Sequence, residues 1–124
     1  MIKLKTVVLE TNDIHALCKF YSELLGWSIV FQVDTFIRIQ SPQNDTGIAF
    51  QFEEDYIPPT WPTKRDKQQM MAHLDLGCTN KAEMKNSIEK ATQLGAQIAD
   101  TQYGNEEWIT MLDPAGHPFC FVIL

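Results

Sequence analysis

Positive charge is scarce in this chain. Ten Lys and Arg stand against sixteen Asp and Glu in 124 residues, a formal net charge of −6. Proteins that grip nucleic acid or an anionic membrane need a basic footprint, so neither partner is expected. Long apolar runs are also missing, and no segment approaches the roughly 20 apolar residues of a membrane span. The start, Met1-Ile2-Lys3-Leu4-Lys5, has no signal-peptide core or cleavage site, so a cytoplasmic protein is expected. Cysteine is sparse. Cys18, Cys78 and Cys120 are an odd number with no CxxC spacing, which reads as reduced thiols rather than a disulfide framework. No Ser–His–acid order, Gly-rich phosphate loop or zinc-finger spacing is present, so nucleophilic hydrolysis and nucleotide binding are not read here.

What remains is ordinary globular material, 44% hydrophobic and 21% charged, enough for a core without staples. Residues 3–10 alternate as a strand. Thr11-Asn12-Asp13 follows as an N-cap cluster, and the stripe Ile14, Leu17, Cys18, Tyr21, Leu24, Leu25 predicts a helix that Gly26 stops. Strands are predicted at 27–32, 35–40 and 47–52, with a turn at Ser41-Pro42-Gln43-Asn44-Asp45. Residues 54–69 hold Pro58-Pro59-Thr60-Trp61-Pro62 and the charged run Lys64-Arg65-Asp66-Lys67, and read as a connection.

The second half then repeats the first. A strand at 70–78 contains His73-Leu74-Asp75-Leu76. Thr79-Asn80 forms a cap. Met84, Ile88, Ala91 and Leu94 make a helical stripe ended by Gly95. Strands are predicted at 97–101, 108–112 and 119–124, with a turn at 113–118. Counting back equally from Asp13 and Asn80 reaches Thr6 and His73. One strand face, Val7, Leu9, Leu74 and Leu76, is expected to meet the helices. The other face, Thr6, Val8, Glu10, His73 and Asp75, must line something else.

Four stretches carry a family resemblance. They are Asn12-Asp13 before the first helix, Phe20-Tyr21 with Leu25-Gly26 at its end, His73-Leu74-Asp75-Leu76, and Asp113-Pro114-Ala115-Gly116-His117-Pro118-Phe119-Cys120. In order and spacing the chain resembles the vicinal oxygen chelate superfamily, which includes glyoxalase I, bleomycin-resistance proteins and extradiol dioxygenases. The Pro-rich connection followed by the His-Leu-Asp-Leu strand is similar more narrowly to the glyoxalase-like domain group. The resemblance implies an α+β fold: two tandem βαβββ modules (about 1–53 and 70–124) in one domain, forming a cupped, mostly antiparallel sheet with helices outside. It also implies metal ligands on the first and last strand of each module, positions held here by Thr6, Gln51, His73 and Cys120. Only His73 matches the usual His or Glu donors.

The candidate residues keep more than one reading. His73 suits a metal ligand, a general base, a ligand-binding group or a polar residue on a wet face. Cys120 suits a buried small hydrophobe or, as thiolate, a soft-metal ligand. Arg38 suits an anionic ligand, or a pairing with Asp75 or Glu10. Trp61 and Trp108 suit loop anchors, a wall of the ligand cup or a dimer contact. His117 is expected to serve its turn.

The expected function is a glyoxalase/bleomycin-resistance-like protein that binds a small organic ligand in the sheet concavity through His73, Gln51, Arg38, Thr6, Cys120 and Trp108. A homodimer is expected, and no metal or other cofactor. The alternative is a lyase, isomerase or dioxygenase that uses a divalent metal.

Overall fold

Two side chains start the two helices. In the computed structural model, which describes residues 1–124, Asp13 accepts a hydrogen bond from the Ala16 N–H at 3.1 Å and caps α1, Ile14–Leu25. Asn80 accepts from the Glu83 N–H at 2.9 Å and caps α2, Lys81–Gln93. The Glu83 carboxylate in turn accepts from the Thr79 N–H at 3.1 Å. The two cap bonds satisfy amides that a first helical turn leaves without partners, and the Glu83 bond ties the residue before the cap to the same turn. Gly26 ends α1 in the left-handed region, φ 69°, where an L side chain is disfavoured. No helix is long and apolar enough to cross a membrane.

The strands are β1 (Thr6–Thr11), β2 (Ser28–Val33), β3 (Phe36–Gln40), β4 (Gly47–Phe52), β5 (Leu74–Cys78), β6 (Gln97–Ile98), β7 (Trp108–Leu112) and β8 (Pro118–Ile123). They form two open four-stranded mixed sheets, ordered β1-β4-β3-β2 and β5-β8-β7-β6. In each, the outermost first strand pairs in parallel with the last, and the remaining pairs are antiparallel. The chain is therefore α+β and built from two tandem βαβββ modules. The compact units are Met1–Tyr56 and Ile57–Leu124, so most of the Pro-rich connection belongs to the second.

Each helix covers one face of its own sheet. In the first unit Ile14, Leu17, Cys18, Phe20 and Tyr21 of α1 are buried, as are Ile37, Ile39, Ile48 and Phe50 of the sheet. Tyr21 stacks on Phe50 at 5.8 Å and meets Phe20 edge-on at 4.9 Å. Phe20, outside the expected stripe, is thus core. In the second unit Met84 and Ala91 of α2 and Cys78, Met111, Phe119 and Phe121 of the sheet are buried. Each such large side chain contributes roughly 1.5–3 kcal/mol through burial. The strand alternation follows: Val7 and Leu9 are half-buried while Val8 and Glu10 are exposed, and Leu74 and Leu76 are half-buried while His73 and Asp75 are exposed.

Three strands are shorter than their patterns predict by two residues or more, two because a partner ends and one because a side chain replaces the ladder. β1 begins at Thr6, not at residue 3, because its partner β4 begins at Gly47, opposite Thr6. β5 begins at Leu74, not at 70, because the ladder with β8 starts at Leu74 opposite Phe119. Before Phe119 comes Pro118, which has no N–H to give. His73 is therefore the residue that leads into the strand. β6 covers only Gln97–Ile98 of the expected 97–101. Beyond it the Gln102 side chain takes over: its Nε2 donates to the Ala99 and Thr110 carbonyls (2.8 and 2.7 Å), and its Oε1 accepts from the Thr110 N–H at 2.8 Å.

The turn after β7 is built on Asp113. Its buried carboxylate accepts from the Ala115 N–H (2.9 Å) and the His117 N–H (3.0 Å), and lies 2.9 Å from His117 Nδ1. His117 thus serves its turn, as expected. Trp61 anchors the Pro-rich segment: its Nε1 donates to the Thr101 carbonyl at 2.9 Å and its ring meets Tyr103 edge-on at 5.8 Å.

Candidate functional site

On the second sheet, the face turned from α2 collects the polar side chains. The ladder puts Asp75 opposite Cys120 and Cys120 opposite Thr110. Residues opposite one another in register share a face. His73, two residues before Asp75, falls on the same side, and its Nε2 lies 3.1 Å from Asp75 Oδ1. The ligating atoms of His73, Asp75 and Cys120 all lie within 4.8 Å of one another. The next row holds Gly77, Val122 and Trp108. Trp108 is partly exposed and its ring lies against Gly104, where an added Cβ would collide with it.

Burial sets the chemistry of Cys120. Loss of water around the side chain pushes its thiol up, and the Asp75 charge adds to that. The Thr110 hydroxyl, 3.3 Å from Sγ, opposes it. Cys120 is therefore a protonated thiol at neutral pH. Cys18 and Cys78 are likewise raised, first by burial. They lie on the helix side and belong to the core.

The first unit holds the other candidates on the matching face of its sheet. Thr6 stands opposite Gly47, Arg38 opposite Ala49, and Gln51 opposite both Glu10 and Phe36. Thr6 and Gln51 thus sit at opposite ends of β4 and are not brought together. Gln51 Nε2 donates to Glu53 Oε1 at 3.4 Å. Once Thr6 is equated with His73, Val8 matches Asp75, and the register puts Ala49, not Gln51, where Cys120 stands. Gln51 is therefore not the counterpart of Cys120.

These placements test the metal set that the resemblance implies. Thr6 and Gln51 are neutral oxygen donors at separate places, so Thr6, Gln51, His73 and Cys120 do not fit a divalent ion. The trio His73, Asp75 and Cys120 fits better. Donors around a tetrahedral ion stand about 3.3–3.8 Å apart, so small side-chain adjustments would close this cluster. Binding would require Cys120 to lose its proton.

Sequence reasoning weighed Asp75 but did not place Cys120 across from it, and it missed Thr110. The alternation Trp108, Thr110, Leu112 was the available signal for Thr110.

A family model described as a glyoxalase-like domain matches residues 6–122. The chain belongs to the glyoxalase-like domain family. This glyoxalase-like chain is similar in fold to several solved structures. One is a glyoxalase/bleomycin resistance protein/dioxygenase family enzyme from Burkholderia phytofirmans, 17% identical, with 98% of each chain covered and a TM-score of 0.76. Another is a glyoxalase-related enzyme from Fulvimarina pelagi, 18% identical, covering 100% of this chain and 89% of that one, TM-score 0.73. A third is a lactoylglutathione lyase from Agrobacterium tumefaciens, 13% identical, covering 99% and 94%, TM-score 0.67. These likenesses agree with the vicinal oxygen chelate superfamily and concern the fold. No curated protein matches the chain in sequence.

Proposed function

We propose that this glyoxalase-like protein binds a small organic molecule on the sheet faces turned away from its helices, in the manner of a bleomycin-resistance protein. One observation carries the reading. The face of the second sheet turned from α2 gathers an exposed imidazole and carboxylate and a buried thiol beside Trp108 and Val122. A few convergent polar groups among apolar ones are what a small-molecule site needs. In this reading Trp108 supplies contact area, and His73 fixes orientation from a position held by Asp75. Arg38 and Thr6 are the ligand-facing residues of the first sheet. The proposal includes a homodimer, supported by edge strand β2, where Ile29, Val30 and Phe31 are each 50% exposed.

The test is an NMR screen of small aromatic compounds against chelator-treated protein. Saturable shifts at the amides of Gly77, Thr110 and Cys120 are expected without added metal. A panel that leaves those amides unmoved would defeat the proposal.

A metal-dependent lyase, isomerase or dioxygenase is the second reading, favoured by the cluster His73, Asp75 and Cys120. Those three side chains would hold the ion, which would polarise substrate oxygens as a Lewis acid. The lactoylglutathione lyase from Agrobacterium tumefaciens shares the fold and is compatible with this alternative. Calorimetric titration with zinc, nickel, iron(II) and manganese separates the two. Stoichiometric binding that disappears in His73→Ala would favour the enzyme.

A further inference from the structure

The first unit leaves one guanidinium without an anion. Arg38 projects from β3, between β2 and β4. Its neighbours Ile37 and Ile39 turn the other way and are 1% and 0% exposed. On its own face Arg38 stands opposite Ala49, which stands opposite Val8, and neither side chain can accept a hydrogen bond. Glu10 shares the face, yet Arg38 forms no ion pair with any carboxylate of the chain. Its Nε is buried without a hydrogen-bond partner.

Thr6 Oγ1 is in the same condition, and Gly47 links the two. Gly47 faces Thr6 across the ladder. A Cβ added to it would stand 3.4 Å from Arg38 Cδ, 3.1 Å from Gln40 Oε1 and 2.8 Å from the Ile39 carbonyl. The arginine stem therefore lies over Gly47, the residue across the ladder from Thr6, and it is the Ile39 carbonyl that requires glycine there. Most buried polar atoms in a folded chain have a partner, and two exceptions on one face of one sheet call for an explanation. One is a donor only; the other is a hydroxyl that donates or accepts. An oxygen of a carboxylate or phosphate accepts from both, and the planar guanidinium fork suits either group. Arg38 as a whole is only half-buried, so the tip of the side chain remains open to an incoming group.

We propose that the open face of the first sheet is an oxyanion site, where Arg38 and Thr6 hold a carboxylate or phosphate carried by the small molecule. This rests on the ligand-binding reading above and adds the charge class of the ligand. Binding brings the oxyanion onto Nε–H and an Nη–H of Arg38 and onto the Thr6 hydroxyl, with the flexible stem shifting on Gly47. Gln51, at the far end of β4, takes no part.

The experiment is NMR titration of the full chain with matched pairs: phenylacetate against phenylacetamide, benzoate against benzamide, and inorganic phosphate alone. The acids should shift the Arg38 Nε–H signal and the Thr6 and Gly47 amides saturably; their amides should not. A response to inorganic phosphate alone would show that the site needs no organic body, and a response only to the aromatic acids that it does. Arg38→Met should weaken the anion response about 10- to 100-fold. Arg38→Lys, which keeps the charge without the fork, should recover part of it, and Thr6→Val should weaken it less. Retained amide dispersion verifies that each variant is folded. Equal responses to acid and amide, or full anion binding by Arg38→Met, would overturn the oxyanion site and leave small-molecule binding standing. Silence of the Arg38 Nε–H toward every anion would also overturn it, whatever binds on the second sheet.

Discussion

His73 Nε2 lies 3.1 Å from Asp75 Oδ1, two residues further along the same edge of the second sheet. Both side chains remain open to water, 40% and 58% exposed, so solvent screens the pair and its contribution to stability is small. His73→Ala should change the unfolding free energy by less than about 1 kcal/mol. Ligand affinity, measured on the same protein, should fall more. Urea melts and a binding isotherm check this together; a large loss of stability with unchanged binding would assign His73 to packing.

Asp113 presents the opposite situation. Its side chain is wholly buried and receives two backbone amides and the His117 ring. Asp113→Ala strands those donors and should destabilise the fold by about 2–4 kcal/mol. Asp113→Asn keeps one acceptor oxygen and should cost less. Equilibrium denaturation gives both values.

The three thiols imply a pH dependence. Burial raises Cys18, Cys78 and Cys120 above the ordinary value of 9.0. The unfolded chain then loses thiol protons before the folded one does as pH rises. Stability from this source is full below pH 9 and is lost as pH rises through the folded values. Urea midpoints should therefore fall between pH 8 and pH 10, and less steeply in Cys18→Ala relative to its own pH 8 value. Reaction with a thiol reagent at pH 7.5 should be slow until the protein unfolds.

Gly104 offers a test of how Trp108 is placed. A Cβ there would collide with the Trp108 carbonyl and its ring. Gly104→Ala should destabilise the protein by about 1–3 kcal/mol and shift the tryptophan emission. Trp108→Ala in the same background should relieve only the part due to the ring, because the Trp108 carbonyl still meets the added Cβ.

The repeat could be read from the chain because its marks are local. Asp13 and Asn80 cap helices wherever they stand before an apolar stripe, Gly26 ends one, and the alternation around His73 and Asp75 needs no partner to be seen. Strand ends were less legible, because they depend on the neighbour: β4 starts at Gly47 opposite β1, Pro118 stops the ladder with β5, and the Gln102 side chain replaces β6 along β7. The site was half visible for the same reason. His73 and Asp75 announce a polar face by themselves, whereas Cys120 joins them only through a register with a strand more than forty residues away. The absence of a partner for Arg38 and Thr6 cannot be read from residue types at all.

Gln102 has one more effect. By occupying the Thr110 N–H and carbonyl with its own amide, it seals the stretch of β7 that two-residue β6 leaves uncovered. An uncovered strand margin is a template on which a foreign chain can add itself and seed aggregates. Here one side chain completes the shielding that the Ala99 N–H begins at the Thr110 carbonyl, so the protein's resistance to self-templated clumping depends on a residue that also holds the strand behind Cys120.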